Sequence, residues 1–143
     1  MRDILGVYVI DDDAEVFFEQ EIYSQGSNSI DEAMLSKIII TIQKFADELG
    51  GGDVRKIEFG QNRVYMLGDK ITNYKFILRS NQKVKQKRAQ EILRDIKNTF
   101  IDTFIGNYQE DKETLMKLKS KFSDEIITYF EDPSDVSGFL KKM

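Results

Sequence analysis

The chain has 143 residues with no His, no Cys, no Trp and a single Pro, and its 21 basic and 25 acidic side chains leave a net charge of −4. A length near ~150 residues fits one domain whose core needs no disulfide or metal to hold it. The missing thiol and imidazole exclude disulfide frameworks, zinc fingers, Cys or Ser-His nucleophiles and the usual haem and iron–sulfur ligation, so carboxylate, Lys, Tyr, Ser and Thr remain for any chemistry.

Mean hydropathy is −0.43. The longest apolar runs, such as Val7 to Ile10 and Ile38 to Ile40, fall far short of the ~18 residues a membrane helix needs. The opening residues Met1 to Val7 run into Asp11, Asp12 and Asp13 without the charged, apolar and small-residue regions of a secretory signal. A cytoplasmic protein with no integral membrane segment is expected.

Ile4 to Ile10 is β-rich. After the acidic turn Asp11 to Glu15, Val16, Phe18 and Ile22 share one parity while Phe17, Glu19 and Glu21 share the other, so residues 4–23 read as a β-hairpin. Ser29 and Glu32 form a capping box, with Asp31 adding negative charge at the positive end of the dipole, and they open a helix over 30–49. In it Met34, Leu35, Ile38, Ile42, Phe45, Ala46 and Leu49 recur at spacings of three and four as one apolar stripe, which Gly50, Gly51 and Gly52 terminate.

Turn residues then separate three short β-branched and aromatic runs: Val54 to Phe59, Arg63 to Leu67 and Tyr74 to Arg79. They predict a three-stranded antiparallel meander. Ser80 and Asn81 read as a cap pair for a second helix carrying Ala89, Ile92, Leu93, Ile96, Phe100 and Phe104 on one face, with Gly106 as its stop. A third helix opens near Asp111, places Leu115, Leu118, Phe122, Ile126 and Phe130 inward, and ends at Pro133.

The expected fold is therefore α+β: a five-stranded antiparallel sheet in β-β-α-β-β-β-α-α order, with helices on both faces. The domain spans 1–132. A short tail, 133–143, follows and contains Val136, Phe139 and Leu140, either left loose or folded back on the domain.

Charge is unevenly spread, with local nets of −9 over residues 1–53, +8 over 54–97 and −3 over 98–143. Arg79, Lys83, Lys85, Lys87 and Arg88 form the densest basic cluster, at the junction of the last strand and the second helix. They are the candidate binding residues, since cations at a helix start oppose the dipole. An acidic protein face, an anionic lipid or RNA are the ligand classes they fit. With an acidic chain overall, nucleic acid is the less favoured.

Motifs for catalysis are weak. Ile4 to Asp13 has the look of the first strand and acidic pair of a two-component receiver domain, but the later strand-end Asp and the βα alternation are missing, so Asp11 to Asp13 read as a solvated turn. Gly50 to Asp53 closes a helix where a phosphate loop would open one. No metal, cofactor or enzymatic activity is expected.

The hairpin Ile4 to Ile10 and Val16 to Phe18, the helix 30–49, the strands Arg63 to Met66 and Tyr74 to Leu78, and the helix ending Phe100 to Phe104 together make a pattern. It resembles the longin family and its relatives, the clathrin-adaptor small chains and other SNARE-like domains, over roughly residues 4–130. Roadblock domains share the sheet but normally begin with a helix, so a chain opening on a strand sits closer to longin. The resemblance carries no catalytic residue. It implies a profilin-like sandwich acting as a non-enzymatic interaction module in vesicle trafficking, whose partner is a small Ras-like GTPase or another longin or roadblock chain, with a homodimer as one form. No SNARE heptad region follows residue 130, which favours a subunit role over membrane fusion. The alternative is a binder of nucleic acid or anionic lipid through residues 79–88.

Overall fold

The computed structural model describes residues 3–13, 15–22, 32–51, 53–104 and 111–131, with only the backbone of 32, 33 and 59. Ser29 of the expected capping box, the added charge Asp31, the stops at Gly52, Gly106 and Pro133, and the tail 133–143 lie outside the described residues. The elements are β1 (Ile4–Ile10), β2 (Val16–Glu21), α1 (Glu32–Glu48), β3 (Lys56–Phe59), β4 (Asn62–Gly68), β5 (Lys75–Asn81), α2 (Gln86–Phe104) and α3 (Lys112–Phe130). Their order is the one read from the sequence.

The five strands form one antiparallel sheet in the order β2-β1-β5-β4-β3. β1 and β5 are thus interior, and all seven residues of β1 are buried. A strand covered on both faces has no reason to alternate, which is why Ile4 to Ile10 reads as an almost unbroken apolar run.

Two cores lie on opposite faces. On one, Val7, Val9, Phe18, Tyr65, Phe76 and Leu78 pack against Ile92, Ile96, Phe100 and Phe104 of α2 and against Phe122, Ile126 and Phe130 of α3. On the other, Tyr8, Ile10, Val64, Met66 and Ile77 pack against Leu35 and Ile39 of α1. This is the two-sided α+β sandwich expected from the sequence, one helix on one face and two on the other.

Phe17 departs from the expected parity. Ile10 pairs with Val16 and Val9 with Phe18, so Phe17 is the extra residue of a β-bulge. The bulge turns it toward the α2 and α3 side, where its ring lies 5.6 Å from Phe100 and 5.3 Å from Phe104.

The helix ends obey local chemistry. At the end of α1, Gly51 N–H donates to Ala46 O at 2.8 Å and Gly50 N–H to Asp47 O at 3.1 Å, with Gly50 at φ 71°, a Schellman arrangement. Asp111 caps α3, its Oδ1 accepting from Thr114 N–H at 2.9 Å. The expected cap pair for α2 is corrected: Ser80 and Asn81 belong to β5, and the helix begins at Gln86. Pairing with Asn62 and a bond from Asn81 N–H to Asp3 O at 3.0 Å hold Asn81 in the sheet. Its side chain then accepts from Lys83 N–H at 2.8 Å to turn the chain.

Candidate interaction surfaces

The sequence-derived basic cluster separates into two places. Arg79 lies on the α1 face of β5 and is 6% exposed. Its Nη2 donates to Glu21 Oε2 at 3.1 Å and its Nε to the Tyr8 hydroxyl at 3.2 Å, while Tyr8 O–H donates to Glu21 Oε1 at 3.1 Å. Burial pushes the Tyr8 phenol well above its ordinary value, outweighing the pull of Arg79. Arg79 is therefore a clasp between β2, β1 and β5, set apart from the surface cations.

Lys83, Lys85, Lys87 and Arg88 do come together, all exposed, across the β5–α2 turn and the first turn of α2. Between them Val84 is buried, and its carbonyl accepts from the Tyr65 hydroxyl at 2.7 Å. No acid occupies the first turn of α2.

A second surface was not distinguished by periodicity. Of the apolar residues on α1, Leu35 and Ile39 are buried, but Met34 is 59%, Ile38 37% and Phe45 62% exposed, as is Leu49, just past the helix end, at 70%. At roughly 100° per residue, Met34, Ile38, Phe45 and Leu49 fall within an arc of about 60°, beside the buried row rather than within it. The width of the stripe was the available signal: the seven positions spread over roughly 120°, more than one contact with a sheet covers. β3, the four-residue strand at one margin of the sheet, follows this helix in the chain.

Asp11, Asp12 and Asp13 form the expected turn, with carboxylate oxygens within 4.8 Å of one another. Asp11 Oδ1 accepts from the N–H groups of Asp13 and Glu15, each at 2.9 Å, which accounts for it as an Asx-type turn.

Two clefts among the described residues are lined in part by ionisable side chains. A groove of about 570 Å³ between β2 and α3 is lined by Val16, Phe17, Phe18, Glu19, Lys119, Ser120 and Ser123. There burial lowers the Lys119 ammonium, opposed by Asp11, and its Nζ sits 4.3 Å from the centre of the Phe17 ring. A cleft of about 230 Å³ between α1 and the β4–β5 turn has Asp47, Asp53 and Asp69 in its wall. Burial raises the Asp69 carboxyl, but the Thr72 hydroxyl at 2.6 Å, the Thr72 N–H at 3.1 Å and Lys97 at 3.5 Å outweigh it and hold it below its ordinary value. A general acid needs the opposite shift.

Among the described residues no helix is long and apolar enough to cross a membrane. No protein-family model matches the chain, and no curated protein matches it. Among solved structures it is similar to the Roadblock/LC7 domain from Streptomyces avermitilis, at 11% identity and a TM-score of 0.48 over 69% of this chain and 87% of that one. It is also similar to Myxococcus xanthus MglB, at 12% identity and a TM-score of 0.41 over 90% of this chain and 85% of that one. The fold assignment rests on the strand order and the two-sided helical layers themselves.

Proposed function

We propose that the chain is a non-enzymatic protein-interaction module, a longin-like subunit whose partner is a small Ras-like GTPase or a second chain of longin or roadblock type, its own copy included. The observation that carries this reading is the exposed row Met34, Ile38 and Phe45 on α1, continued by Leu49 just past its end. Four large apolar side chains on one helix flank are an uncommon surface for an isolated domain and mark a place of contact. The marginal strand β3 adds main-chain groups with which a partner strand can pair. The trafficking role and the GTPase come from the family resemblance.

The test uses purified chain and small Ras-like GTPases from the same organism, loaded with a GTP analogue or with GDP. Binding is followed by calorimetry and assembly state by sedimentation. Complex formation that Phe45→Glu abolishes supports the reading. A strict monomer that binds no GTPase in either nucleotide state and no longin or roadblock chain overturns it.

A further inference from the structure

We infer that the β5–α2 end of the domain docks on an anionic phospholipid bilayer, with Lys83, Lys85, Lys87 and Arg88 as the contact. Among the described residues none of Lys83, Lys85 and Lys87 has a carboxylate within ion-pair distance, while Arg88 pairs with Glu91 at 3.5 Å and also bonds the Tyr129 hydroxyl. The turn that carries them is held in place, because Val84 is 6% exposed and the Tyr65 hydroxyl bonds its carbonyl. Lys83 and Lys85 are displayed on either side of that plug. Arg63, whose Nη1 lies 3.5 Å from the Tyr65 hydroxyl, adds a fifth cation beside them.

The placement works against the helix. Lys87 and Arg88 stand in the first turn of α2, where the free N–H groups already make the potential positive and where no acid offsets it. An external layer of negative charge relieves that repulsion. Among the described residues the acids at this end include Asp3, which accepts from the Asn81 amide at 2.9 Å, Glu58, which faces Lys56 and Arg63, Glu91 beside Arg88, and Asp95, which accepts from the Tyr129 hydroxyl at 2.8 Å. They leave the three lysines uncompensated.

The choice of a bilayer over RNA follows from the shape of the charge. Antiparallel pairing sets Arg63 and Ser80 with Ile4 at the cationic end, and Lys75 with Ile10 at the other, where Asp11 to Asp13 follow β1. Seven strand residues at ~3.3 Å each separate the two ends by roughly 20 Å, more than two Debye lengths of about 8 Å at physiological salt. A flat anionic surface therefore meets the cationic end alone, whereas a flexible polyanion also samples the acidic remainder of a chain of net charge −4. Tyr65 is buried and bonded to Val84, and so offers no face for a stacked base; the Tyr129 hydroxyl, which Arg88 touches, is committed to Asp95 at 2.8 Å.

The experiment is vesicle co-sedimentation of the full chain with phosphatidylcholine alone and with phosphatidylcholine containing phosphatidylserine. The expected result is partition onto the anionic vesicles only, lost on raising salt, and reduced roughly tenfold or more by Lys85→Glu/Lys87→Glu. Lys85→Gln/Lys87→Gln, a milder change at exposed positions, gives an intermediate loss with an unaltered circular dichroism spectrum. Lys112→Glu/Lys121→Glu on α3 makes the same change in net charge away from the patch and leaves partition nearly intact. Absence of partition, an equal loss in the α3 variant, or binding of single-stranded RNA without binding of vesicles each overturns the inference.

Discussion

Arg79 and Glu21 meet across β1, 58 residues apart in sequence, with Nη2 and Oε2 separated by 3.1 Å. The two partners are unequally buried, since the Arg79 side chain is 7% and that of Glu21 34% exposed. Glu21→Ala strands a guanidinium that water hardly reaches, with the Tyr8 hydroxyl as its remaining acceptor among the described residues, and should cost about 2–4 kcal/mol. Arg79→Met removes the buried charge and leaves a carboxylate that water does reach, so a loss of about 1 kcal/mol is expected. Urea denaturation of the two variants decides it. Equal losses, or the reverse order, would show that the clasp does not hold these strands.

Gly6 lies opposite both Glu21 and Arg79 in the sheet. A Cβ at this position would collide with the Tyr8 hydroxyl and sit 2.8 Å from the ring carbon that bears it. Gly6→Ala should therefore destabilise the domain by about 1–3 kcal/mol through displacement of Tyr8 from its two partners. In a Tyr8→Leu background the same substitution should cost less than about 1 kcal/mol, because the obstructing ring is gone. Additive losses in the double variant would locate the strain elsewhere.

What could be read in advance divides by range. The element order was legible because punctuation is local: Asp11 to Asp13 close the hairpin, Gly50 ends α1 and Gly60 turns β3 into β4. The apolar faces of α2 and α3 were legible because a period of three and four says which side chains share a flank. Arg79 was misplaced among surface cations because its partner comes from β2, and no local pattern encodes that pairing. Phe17 was put on the wrong side because a bulge changes parity without changing composition. The division of the α1 stripe into buried and exposed rows depended on how far across that helix the sheet reaches, a property of packing alone.

Asp69 links the fold to pH. Burial opposes its charge, but Thr72 and Lys97 lower the carboxyl below its ordinary 3.8 in the folded chain. A depressed folded value means that its stabilisation is present above the unfolded value and is lost as pH falls through the folded one. The stability difference between the parent and Asp69→Asn should thus be steady at neutral pH, begin to shrink near pH ~4 and close in stronger acid. Denaturant midpoints measured across that range test it. A gap that persists undiminished below the carboxylate range would assign the effect of the substitution to packing.

The exposed row on α1 yields the prediction that bears most directly on function. Phe45 and Leu49 are 62% and 70% exposed, so Phe45→Glu/Leu49→Glu removes little buried area and should leave stability within about 0.5 kcal/mol of the parent. If the row is where a second chain sits, the same double variant should abolish association, because two carboxylates would be buried without partners at the contact. Sedimentation velocity over a dilution series reads the assembly state, and urea denaturation reads the fold. Met116→Glu is the internal control: Met116 is 62% exposed on α3, which packs on the other face of the sheet, and its substitution should change neither. Were Met116→Glu to disperse the complex while the α1 variant kept it, the contact would belong to α3 and α1 would simply carry its apolar side chains into solvent.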